Sequence, residues 1–117
     1  MIDPTREKLL SLEPRTAQLA FAMVVAARQA GIPLIVISGK RTAEENRAVG
    51  GAPSSWHLFG KAFDVAVVGY TRDEIPFWWW EMLGSWAEAN LGLSWGGRFV
   101  SNGEVDVNHF DVRGMFV

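Results

Sequence analysis

Residues 55–68 read Ser55-Trp56-His57-Leu58-Phe59-Gly60-Lys61-Ala62-Phe63-Asp64-Val65-Ala66-Val67-Val68. From Lys61 the side chains alternate, with Ala62, Asp64 and Ala66 on one face and Phe63, Val65 and Val67 on the other. That is the two-residue period of a β-strand. An aspartate among alanines on a strand face has little structural use without a cation, because a buried carboxylate needs a partner. Upstream, Leu34-Ile35-Val36-Ile37 is a second short β-branched run, read as a buried strand. Downstream, Leu93 to Trp95 and Asn108 to Val112 predict two further strands, separated by a turn at Gly96-Gly97 and a loop through Gly103.

Helices surround these strands. Asp3-Pro4 places an N-cap before a first-turn proline and opens a helix to about Leu12. Glu13-Pro14 repeats the device for a second helix carrying Leu19, Ala20, Met23, Val24 and Ala27 on one face. Gly31 suits its C-terminal cap and Pro33 prevents continuation. Thr42 to Glu45 has capping-box spacing and starts a short third helix to about Val49. Residues 50–55 form a loop. Pro76 to Asn90 predicts a tryptophan-rich helix whose core stripe is either Phe77, Trp80 and Leu83 or Trp79, Leu83 and Trp86. One tryptophan of the 78–80 triplet must then face outward, a candidate contact surface. Helices first, then strands with helices between them and no βαβ rhythm, favour an α+β domain with a small, mainly antiparallel sheet packed with helices.

Length and composition bound the function. The 117 residues fit a single domain, and 49% hydrophobic content supplies its core. Eleven basic against thirteen acidic residues give a net charge of -2, which argues against affinity built on a strong positive field for nucleic acid. No cysteine is present, so disulfides, thiolate catalysis and cysteine-ligated zinc are excluded. No apolar run approaches the roughly 20 residues that span a bilayer. The opening residues lack the basic-then-apolar pattern of a secretory signal. The expectation is a protein made in the cytoplasm, with no membrane insertion, no nucleic-acid partner and a monomeric state.

Only two histidines occur, His57 and His109. A lone histidine is usually a surface or satisfied core residue, but each of these has carboxylates nearby: Asp64 after the first, Asp106 and Asp111 around the second. Two imidazoles and one carboxylate are a normal ligand set for catalytic zinc with an open fourth position. Zinc brings the pKa of bound water towards neutrality and polarises a carbonyl, while a nearby carboxylate moves the proton.

The spacing Ser55-x-His57-x-x-Gly60-x-Ala62-x-Asp64 resembles the signature of zinc peptidases that cut bacterial cell-wall peptides. These are the D-alanyl-D-alanine carboxypeptidases and dipeptidases and the L-alanyl-D-glutamate endopeptidases. Ser38-Gly39-Lys40-Arg41-Thr42 is similar to that family's strand-end arginine segment. Trp95-Gly96-Gly97 followed by Asp106-x-x-His109-Phe110 is similar to its C-terminal ligand segment. The likeness runs from about Leu19 to Val112 and is greatest to compact phage endolysin peptidases.

The resemblance implies a zinc site at the sheet with His57, Asp64 and His109 as ligands and Asp106 as general base. It implies Arg41 as the stabiliser of the developing oxyanion or holder of the substrate carbonyl, and Ser55 as a hydrogen-bonding contact to the substrate. Gly60 and Ala62 read as structural. Manganese or cobalt could replace zinc in vitro. The plainer readings are that Arg41 salt-bridges ahead of a helix and that Ser55 caps a turn.

Many relatives carry proline before the second histidine and glutamate two after it, where this chain has Asn108 and Asp111. In an unbroken strand residues 106 and 109 would point to opposite faces, so Asp106 requires a bend and Glu104 is the reserve base. The implied activity is hydrolysis of the peptidoglycan stem peptide, at the L-alanyl-D-glutamate bond, acting on the wall after release from the cytoplasm. The alternatives are a D-alanyl-D-alanine carboxypeptidase and a non-catalytic wall-binding module that keeps the fold.

Overall fold

The alternation from Lys61 is realised as a central strand in a computed structural model that describes residues 3–101 and 103–116. The helices are α1 (Thr5–Ser11), α2 (Pro14–Gln29), α3 (Ala43–Ala48) and α4 (Phe77–Leu91). The strands are β1 (Leu34–Ser38), β2 (Ala62–Val67), β3 (Ser94–Trp95), β4 (Val100–Ser101), β5 (Glu104–Val105) and β6 (His109–Asp111). Four of them form an antiparallel sheet in the order β1-β2-β6-β3. The fold is α+β, as expected. Among the described residues no helix is long and apolar enough to cross a membrane.

The caps read for α2 and α3 are in place, whereas the one read at Asp3 is displaced: Pro4 holds the N-cap position of α1, and Asp3, one residue earlier, accepts from the Thr5 backbone N–H at 2.9 Å. Glu13 accepts from the Thr16 and Arg15 backbone N–H groups ahead of α2, and Thr42 with Glu45 forms the capping box of α3. The α2 stripe buries Ala20, Met23, Val24 and Ala27. Against it lies one face of the sheet, where Phe63 stacks on Phe110 at 5.7 Å between ring centroids. Asp64, His109 and Asp111 alternate with these residues and so occupy the opposite face.

Two findings depart from the sequence reading. The stretch read as a loop through Gly103 carries a hairpin, β4 paired antiparallel with β5. The expectation failed because two-residue strands are too short to show a period. The core of α4 is neither anticipated triplet but Trp80, Leu83, Gly84 and Ala87, while Phe77 and Trp86 stay partly exposed. Trp78 is the outward-facing member of the triplet.

Gly84 is needed because the buried Trp95 indole lies against it. A Cβ at Gly84 would stand 2.2 Å from Trp95 Cδ2, and one at Gly97 only 2.1 Å from its Cζ2. The ring is held between two glycines and cannot swing away. Gly84→Ala should therefore destabilise the protein in urea unfolding. Overpacking costs about 1–3 kcal/mol, against about 1 kcal/mol gained in helix propensity. A rise in stability would show that the indole has room to move.

Candidate metal centre

The register of β2 and β6 pairs Asp64 directly with His109. His57 arrives from the tight turn Trp56–Phe59, which Ser55 caps by accepting the His57 backbone N–H at 3.3 Å. Gly60 closes that turn at φ +68°, a conformation other residues adopt only with strain. His57 and Asp64, seven positions apart, are thereby brought side by side. His57 Nε2, His109 Nδ1 and Asp64 Oδ1 form a triangle with sides of 3.2, 3.3 and 3.2 Å.

The donor set fits a tetrahedral metal. Zinc bonds of 2.0–2.1 Å imply ligand separations of roughly 3.3 Å, close to the sides of this triangle. The tautomers also fit. His57 Nδ1–H donates to the Gly39 carbonyl at 2.8 Å, leaving Nε2 with a lone pair facing the cluster. His109 Nε2–H donates to Asp111 at 2.8 Å, leaving Nδ1 facing inward. Two imidazole lone pairs and a carboxylate converging inside a protein are stable only around a cation.

Without a metal, that cation is a proton on His109. Burial disfavours the imidazolium, but hydrogen bonds to Asp111 and Asp64, with their charges, push its pKa up to about 9. Burial likewise opposes ionisation of Asp64, yet hydrogen bonds from His109 and His57 and their charges hold its carboxyl well below the usual range.

Arg41 reaches the cluster too. Its Nη2 donates to Asp64 Oδ2 at 3.3 Å, and its Nη1 to Asn46 Oδ1 at 3.5 Å. Buried Asn46 in turn donates to the Ala52 carbonyl at 2.7 Å, tying the 50–53 loop to the site. Arg41 and Ser55 both line a groove of about 570 Å³ that runs over His57 and His109. The β4–β5 hairpin forms part of its wall through Val100, Glu104 and Val105. Ser55 thus caps the His57 turn, as its plainer reading had it, and also lines the groove.

The bend that Asp106 requires is present. The chain turns between β5 and β6, with His109 N–H donating to the Asp106 carbonyl at 3.1 Å. Trp95 Nε1 donates to the Val107 carbonyl at 2.7 Å and pins the turn to the core. A Cβ on Gly96 would lie 2.3 Å from the Asp106 carbonyl oxygen, so the close approach depends on glycine there. Asp106 Oδ2 stands 4.0 Å from His109 Nδ1, beside the triangle and not in it. Partial burial and the charge of Asp64 push its pKa up, offset in part by His109, Arg72 and His57. Glu104 lies on the exposed hairpin wall.

Sequence reasoning did not find the roles of Arg72, Arg113 and Asp111. Each acid around the cluster has its own arginine: Asp64 with Arg41, Asp106 with Arg72 at 3.8 Å, and Asp111 with Arg113 at 2.7 Å. The pairing of Asp111 with His109 was signalled by their spacing of two on a strand, which puts both on one face. Arg113 follows Asp111 by two residues and was open to the same reading, whereas Arg72 comes from a distant segment and carried no such signal. Asn108 is structural, donating to the Val65 carbonyl at 3.0 Å.

Known proteins share this arrangement of elements. The Peptidase M15 family model matches residues 5–78, which include Arg41, Ser55, His57 and Asp64 and stop short of Asp106 and His109. No curated protein matches the sequence. Among solved structures, the fold is similar to that of the Serratia marcescens L-Ala D-Glu endopeptidase ChiX. Identity is 24% and the TM-score 0.64, over 92% of this chain and 84% of that one. The LD-carboxypeptidase LdcB is similar at 18% identity and TM-score 0.59, over 86% of this chain and 58% of that one. The D,D-pentapeptidase VanY from a VanB-type resistance cassette, solved in complex with Zn(II), is similar at 19% identity and TM-score 0.59. That likeness covers 89% of this chain and 74% of VanY. At such identities the structural likeness is one of fold; the family match spans more than half of the sequence, and by it the chain belongs to the peptidase M15 family and is a metallopeptidase.

Proposed function

We propose that this protein is a zinc-dependent peptidoglycan peptidase that hydrolyses the L-alanyl-D-glutamate bond of the stem peptide. The observation that carries the reading is the His57–Asp64–His109 triangle, whose two histidines line a groove together with Asp106 and Arg41. The substrate class is supported by the fold shared with ChiX, LdcB and VanY, whose names describe an endopeptidase, a carboxypeptidase and a pentapeptidase. The choice of bond is supported by the mutual coverage with ChiX, 92% and 84%. Action as an endolysin, reaching the wall after release from the cytoplasm, is part of this proposal.

Zinc held by His57, Asp64 and His109 would lower the pKa of water and polarise the scissile carbonyl. Asp106 is placed to take a proton from the attacking water and pass it to the leaving nitrogen, so that amide and water become carboxylate and amine. Its partial burial favours the protonated form, the direction that suits a proton acceptor. Arg41 presents a fixed planar charge to the groove. It binds Asp64 through one nitrogen and keeps other donors for the carbonyl oxygen as charge develops there. Ser55, at the groove wall, is placed to hydrogen-bond the peptide.

The test is digestion of purified peptidoglycan by the zinc-loaded protein, with and without chelator, followed by mass spectrometry. Chelator-sensitive release of fragments with new D-glutamate N-termini is the expected result. Free D-alanine would move the activity to the carboxypeptidase branch. No release from several wall types by folded, zinc-loaded protein would leave a wall-binding module.

A further inference from the structure

Asp111 is fully buried, and its carboxylate is saturated by two partners. One is His109 Nε2–H at 2.8 Å. The other is Arg113, whose backbone N–H donates to Oδ1 at 3.0 Å, whose Nε lies 3.0 and 2.9 Å from the two oxygens, and whose Nη2 donates to Oδ2 at 2.7 Å. The guanidinium is itself seated over the Phe99 ring at 4.3 Å, with Trp56 at 5.8 Å. Both rings line the groove, and Trp56 immediately precedes His57. A chain of contacts therefore runs from the groove wall through Arg113 and Asp111 to the outer nitrogen of His109.

The sequence distance makes the arrangement specific. His109 and Asp111 share a face of β6, so the carboxylate lies alongside the imidazole and accepts from Nε2. An ionised carboxylate in this interior requires compensation, and the bidentate fork of Arg113 supplies it. With Nε2–H committed to Asp111, the ring cannot flip without breaking that hydrogen bond.

We propose that Asp111 and Arg113 are positioning residues for the metal centre. Together they lock the His109 ring so that Nδ1 faces His57 Nε2 and Asp64 Oδ1, and they raise the affinity of the cluster for zinc. This rests on the zinc reading of the cluster and adds to it two residues outside the ligand triangle. A carboxylate behind a metal-binding imidazole fixes the ring and raises its basicity, and losing it costs about 10–100-fold in metal affinity.

The experiment is a competition titration of zinc against a chromophoric chelator for the wild type, Asp111→Asn, Arg113→Gln and Arg113→Lys. Thermal unfolding of each chelated protein runs alongside. Asp111→Asn should weaken zinc binding by about 10–100-fold. Arg113→Gln should weaken it in the same direction by less, and Arg113→Lys, which keeps the charge, should recover part of the loss. Arg113 is partly exposed, so its variants carry the test even if Asp111→Asn does not fold. Wild-type zinc affinity in the variants, whatever their unfolding temperatures, would reduce the pair to a structural salt bridge and overturn the proposal. A wild type that binds no zinc would overturn the zinc reading itself, a result distinct from equal binding by all four proteins.

Discussion

Asp106→Ala is expected to lower kcat on isolated stem peptides by about 10²–10⁴-fold, the usual worth of a positioned general base, with bound zinc unchanged. The carboxylate sits 4.0 Å from His109 Nδ1, near enough to serve a water at the open side of the cluster and outside the ligand triangle. Its place is fixed independently of any metal by the Trp95–Val107 hydrogen bond and the close contact with Gly96. Removing it should therefore leave the ligands where they are. Zinc content and turnover measured on the same sample separate the two effects. Loss of zinc together with activity would make Asp106 a ligand. Activity within a few-fold of wild type would shift the role to Glu104, and Glu104→Gln would then be the decisive variant.

Replacing Asp64 should be at least as damaging, through a different cause. Asp64→Asn removes the one anionic ligand and the charge that faces both imidazoles and Arg41. Zinc should be lost, and with it several kcal/mol of transition-state stabilisation, which is roughly three decades in rate. Chelation of the wild type should have the same effect and be reversed by added zinc.

The metal-free protein also has a pH signature. The His109 pKa rises from 6.5 to about 9 on folding. A raised pKa contributes stability that is fully present below 6.5 and lost as pH rises through about 9. The unfolding temperature of chelated wild type should fall across that window, and less so in Asp64→Asn, where one counter-charge is gone. Zinc-loaded protein should show a flatter profile because the metal replaces the proton. A chelated protein whose stability does not change between those two pH values would contradict the reading of His109 as the proton holder.

Much of the site was legible because its geometry is local. Ser55 to Asp64 carries a cap, a tight turn and the start of a strand in ten consecutive residues, and each rests on near-neighbour chemistry. The turn and strand alone bring His57 beside Asp64. The caps of α2 and α3, the core stripe of α2 and the glycine turns were readable for the same reason. The β4–β5 hairpin was not, because two residues per strand show no period and their pairing is set by the chain on either side.

What the sequence by itself determined is the four helices, the strands of the main sheet and the α+β class; it named the candidate ligands through a family resemblance. The elements follow from local caps and periodic patterns along the chain. Tertiary structure alone decided the register that sets Asp64 opposite His109, the bend that brings Asp106 to the cluster, and the pairing of Asp64 with Arg41 and of Asp106 with Arg72. It also decided that Trp80, and not Trp78, enters the core. These depend on contacts between residues far apart in the chain, whose free energy is settled only when the sheet closes and its charges must be compensated within the same small volume.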